Sequence, residues 1–99
     1  VSAPSALEEL RASLAELAPP SGLRNVLRAL WHAGRDEWDA AHEIAQKVDN
    51  AEGAWVHAHL HRREGDLGNA SYWYSRAGKP RSRLPLHEEW EQIVRALLG

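Results

Sequence analysis

Apolar positions recur every three to four residues along most of this chain and nowhere alternate with a period of two, so the pattern predicts helices and no strands. Leu7, Leu10, Leu14 and Leu17 share one helical face. Ser5 and Glu8, ahead of them, have the spacing of a capping box, and Pro19-Pro20 stops the run, giving a first helix over 5–18. Ser21 is placed to open a second helix with Leu23, Val26, Leu27, Leu30 and Trp31 as its stripe and Gly34 as a left-handed terminator. Asp36 suits the cap of a third, in which Trp38, Ala41, Ala45 and Val48 recur before the polar Asp49-Asn50 break. Asn50 caps a fourth helix carrying Trp55, Val56, Ala58 and Leu60 to Gly65. Asp66 caps a fifth through Tyr72, Trp73, Tyr74 and Ala77 to Gly78. After a polar, proline-broken connector at 79–83, Pro85 suits the first turn of a last helix over 86–98, with Trp90, Ile93, Val94 and Leu97 inward.

Short connections favour antiparallel neighbours, so the expected fold is one all-α domain over 1–99, a compact array of about six antiparallel helices. It comprises an N-terminal helix, a hairpin over 22–48, a second over 51–78 and the C-terminal helix. Ala29, His32 and Ala41 recur 29 positions later as Ala58, His61 and Ala70, a weak internal repeat. The turn at Gly34, Arg35 and Asp36 reads as out of register with that at Gly65 and Asp66. Ala58, Gly65, Asp66, Ala70, Tyr74 and Ala77 together resemble a tetratricopeptide hairpin, and the run from Ala70 to Ala77 resembles the second helix of a Sel1-like repeat. The longer run from Trp55 to Tyr74 is similar to a family of small bacterial helical proteins without an assigned activity. That resemblance implies a helical fold and a cytoplasmic setting, and no catalytic residues.

Composition narrows the chemistry. Of 99 residues, 43% are apolar and 26% charged, which is the globular range. Cysteine is absent, so any metal must be held by His, Asp or Glu. No apolar run reaches membrane-spanning length. The N-terminus from Val1 lacks the basic and apolar segments of a secretory signal, so a cytoplasmic protein without membrane partners is expected. A net charge of −2 gives no general attraction to polyanions. The excess lies in five Trp and six His.

His57, His61 and Glu64 fall on one face of the fourth helix, and stacking of the hairpins would bring His42 to them as a third nitrogen for a divalent metal. Glu43 or Glu64 would then be placed to activate a bound water. The competing expectation is that His57 and His61 are hydrogen-bonded core residues; His59 is expected to face solvent. On the fifth helix Asn69, Trp73 and Arg76, with Tyr72 beside them, set an amide, an aromatic plate and a guanidinium where they can take a carboxylate, a phosphate or a peptide. The alternative places Trp73 in the core and pairs Arg76 with Glu64 or Asp66. Arg62, Arg63, Arg76, Lys79, Arg81 and Arg83 make a basic cluster, but acidic neighbours weigh against nucleic acid. If Trp38, Trp55 and Trp90 exceed what the core holds, they form an exposed aromatic patch.

Two functions follow. The first is a non-enzymatic binding module for a peptide, protein or small anionic ligand, using Asn69, Tyr72, Trp73 and Arg76. The second is a divalent-metal-binding protein or small metal-dependent hydrolase using His42, His57 and His61.

Overall fold

The computed structural model describes residues 3–99; Val1, where the N-terminal reading begins, lies outside them. Six helices and, among the described residues, no strand make up the fold: α1 Ala6–Ser13, α2 Asn25–Gly34, α3 Trp38–Ala45, α4 Ala51–Arg63, α5 Leu67–Ala77 and α6 Leu86–Leu98. No helix among them is long and apolar enough to cross a membrane.

The expected caps at Ser5, Asn50 and Asp66 all form. Ser5 and Glu8 complete their capping box, Asn50 accepts from the Gly53 amide, and Asp66 accepts from the Asn69 amide. Gly78 ends α5 in the left-handed region. Four expectations are corrected. α1 stops at Ser13 rather than continuing to the prolines, leaving Leu17 96% exposed. Arg35 ties down the chain just beyond α1, its guanidinium donating to the Leu14 and Glu16 carbonyl oxygens. α2 begins at Asn25, not near Ser21, because Gly22 has φ +82 and turns the chain before the helix can start. Gly34 is not a left-handed terminator: it lies inside α2, and its missing Cβ makes room for Leu14 and Trp90, whose carbons lie 3.0 and 3.1 Å from where a Cβ would stand. The left-handed residue is Asp36, at φ 60, and Asp36 caps nothing; its carboxylate instead accepts from Arg63.

That last correction restores the register of the repeat. Asp36 and Gly65, the left-handed residues of the two hairpin turns, stand at the same 29-residue offset as Ala29 and Ala58. The following amides, Glu37 and Asp66, donate 2.9 Å bonds to the carbonyls of His32 and His61. Ala29, Ala41, Ala58 and Ala70 are all buried, the small residues that let paired helices approach.

α2 packs on α3 and α4 on α5, while α3 also meets α4. Trp38 reaches the Leu60 carbonyl and His42 reaches His57, so α3 and α4 run antiparallel. α6 lies across α1, α2 and α4. Trp31, Trp55 and Trp90 are buried and Trp38 and Trp73 half-buried, so the tryptophans are core and wall residues rather than an exposed patch. Their indole N–H groups find carbonyl partners where burial demands it: Trp90 to Leu30, Trp31 to Ser13, Trp38 to Leu60.

Candidate metal centre and adjacent cleft

One turn apart on α4, His57 and His61 project toward α3 and meet His42. One imidazole nitrogen from each lies within 4.8 Å of the others. His42 Nε2 and His57 Nε2 are 2.9 Å apart, a distance that requires one to donate and the other to accept. Zn–N bonds of about 2.0–2.1 Å in tetrahedral geometry set the nitrogens about 3.3 Å apart, so a metal would need only a few tenths of an ångström of adjustment there. His61 Nδ1 donates to Glu64 Oε2 at 2.6 Å, which fixes its tautomer and leaves Nε2 as a lone-pair donor.

Tryptophans wall the cluster. Trp38 stacks on His42 with centroids 4.6 Å apart, and Trp73 stacks on His57 at 3.9 Å. Burial pushes the His57 imidazolium down to about 4, helped by the neighbouring His42 and His61. Burial and His61 likewise lower His42, against the opposing pull of Glu64 and Asp39. Both rings are therefore neutral near pH 7, the form that coordinates metal.

Neither expected water-activating carboxylate stands free beside the imidazoles. Glu64 is the partner of His61, and Glu43 is exposed, 3.7 Å from Lys47. A second grouping, His61 with Glu64 and Asp66, shares His61, and its carboxylates already orient that ring and cap α5.

Of the row expected on α5, three members come together. Arg76 lies over the Trp73 ring at 5.4 Å and over Tyr72 at 5.9 Å, donating to the Tyr72 hydroxyl. It pairs with neither Glu64 nor Asp66, and among the described residues it makes no ion pair. Asn69 is separate, its amide turned back to Asp66. An open cleft of about 560 Å³ runs beside this row, lined by Gln46, Asp49, Asn50, His57, Trp73 and Arg76 among others. His57 and Trp73 thus belong to both the imidazole cluster and the cleft wall.

His59 does not face solvent: it is 0% exposed. Its Nδ1 donates to Glu89 at 2.7 Å, its Nε2 accepts from Arg63, and Glu89 also receives Arg62 and the Tyr74 hydroxyl. Burial pushes Glu89 up, but the bonds from His59, Tyr74 and Arg62 outweigh it and hold the carboxyl below its ordinary range. With Arg63 donating to Nε2, His59 is the neutral partner. Two signals mark this network in the sequence. His59 falls 29 positions after Leu30, also fully buried, and Glu89 shares the inward stripe of Ile93 and Leu97. No protein family, curated protein or solved structure matches this chain.

Proposed function

We propose that this protein binds one divalent transition-metal ion through His42, His57 and His61, without catalysing a reaction. The observation that carries the reading is the convergence of three imidazole nitrogens from two helices, with His61 held in its coordinating tautomer by Glu64. An all-nitrogen set suits Zn²⁺, Ni²⁺ or Cu²⁺ and not Mg²⁺ or Ca²⁺, which require oxygen ligands. Chelator-treated protein should take up one Zn²⁺ or Ni²⁺ per chain by calorimetry. His57→Ala and His61→Ala, shown to be folded by circular dichroism, should lose that uptake. Wild-type protein that takes up no metal, or variants that bind as well as wild type, would sink the reading.

A second reading, a helical-hairpin module that binds a peptide, protein or small anionic ligand, draws on one observation: Arg76 and Trp73 line an open cleft without a carboxylate partner for the guanidinium. Binding of a ligand by metal-free protein, lost in Arg76→Gln, would favour it.

A further inference from the structure

The imidazole cluster and the cleft share a wall, and the wall is a graded stack. His61 lies 4.8 Å from His57, His57 3.9 Å from Trp73, and Trp73 5.4 Å from the Arg76 guanidinium. One end of this stack carries metal-ligand nitrogens, the other a guanidinium free of ion pairs among the described residues. Three protein ligands leave a metal at least one coordination position for an outside donor. His57 lies parallel to the Trp73 indole at 3.9 Å and the Arg76 guanidinium lies over the same side chain at 5.4 Å, so Trp73 touches both groups. The proposal rests on the metal-binding reading above: we infer that the centre and Arg76 together bind a small α,ω-dicarboxylate, one carboxylate completing the metal's coordination and the other pairing with Arg76.

Charge and space agree with a ligand of this kind. The cleft beside the stack holds about 560 Å³, ample for a short flexible diacid, and its rim offers the amides of Gln46 and Asn50. A monocarboxylate satisfies only one end of the stack. A guanidinium–carboxylate pair is bidentate and directional, so the spacing selects chain length. Asp49, on the same rim, acts on Arg76 at long range and opposes a bound anion. Its removal therefore strengthens binding.

The test is calorimetry on Zn²⁺-loaded protein titrated with acetate, succinate, glutarate and adipate. One diacid in the series should bind roughly tenfold or more tightly than acetate, the scale of one charge-assisted hydrogen-bond pair. Arg76→Gln should erase that preference while leaving one Zn²⁺ per chain, and Asp49→Asn should sharpen it. Diacids that bind no better than acetate, or a preference that survives Arg76→Gln, would overturn the dicarboxylate site and leave the metal centre standing. Failure to load Zn²⁺ at all would overturn both.

Discussion

The three buried histidines of α4 owe their chemistry to the group on a ring nitrogen or on the ring face. His61 is turned by Glu64, His59 is locked between Glu89 and Arg63, and His57 is pressed against Trp73. A pH dependence follows for chelator-treated protein. His57 has a folded value of about 4 against about 6.5 for an unperturbed imidazole. Between these values the unfolded chain binds a proton that the folded chain refuses, so stability falls as pH drops from about 6.5 toward 4 and flattens below for this group. His42 and His59, lowered mainly by burial, act in the same direction. Glu89, held low, adds its loss only as the pH falls below the ordinary carboxylate value of about 4.5. The melting temperature should fall by on the order of 5–10 °C between pH 7 and pH 4.5. A flat profile over that range would show that the imidazoles protonate freely in the folded state.

At the level of elements, the approach of α3 to α4 brings His42 to His57, and Gly53 governs that approach. A Cβ on Gly53 would stand 2.0 Å from the Val48 carbonyl oxygen, a backbone atom of the turn that joins α3 to α4. Replacing a helical glycine by alanine ordinarily stabilises by about 0.8–1.0 kcal/mol. Gly53→Ala should instead cost about 1–3 kcal/mol in denaturant melts and weaken metal uptake, because the turn shifts His42. Gly68→Ala is the control: its Cβ would meet nothing closer than Asp66 Oδ1 at 4.0 Å, so it should be neutral or stabilising. The caps at Asn50 and Asp66 and the turn at Gly78 were legible because each rests on a local bond or a local φ. The role of Gly34 was not, since it depends on Leu14 and Trp90, distant in sequence. The left-handed turn at Asp36 was missed because a non-glycine residue holds the conformation.

Over the whole molecule the all-α class was legible from periodicity, and the meeting of His42 with His57 and His61 from helical spacing plus hairpin stacking. The burial of His59 was less legible, because its partner comes from α6, a helix outside the two hairpins. The same lesson applies to the 29-residue offset, whose register became visible only once the φ angles placed the turn at Asp36 rather than Gly34. α6 has a further consequence. Stacked hairpins are quasi-one-dimensional and can unzip from an end, since each unit touches only its neighbours. Here α6 lies across α1, α2 and α4, with Arg11 paired to Glu91 and Arg24 bonded to the Leu97 carbonyl. Helices α1 and α6 are thereby tied to each other and to both hairpins, so that neither hairpin can separate without breaking contacts with α6. Trp fluorescence and far-ultraviolet dichroism should therefore lose their native signals at one common denaturant midpoint, the signature of an all-or-none transition rather than sequential loss of repeats.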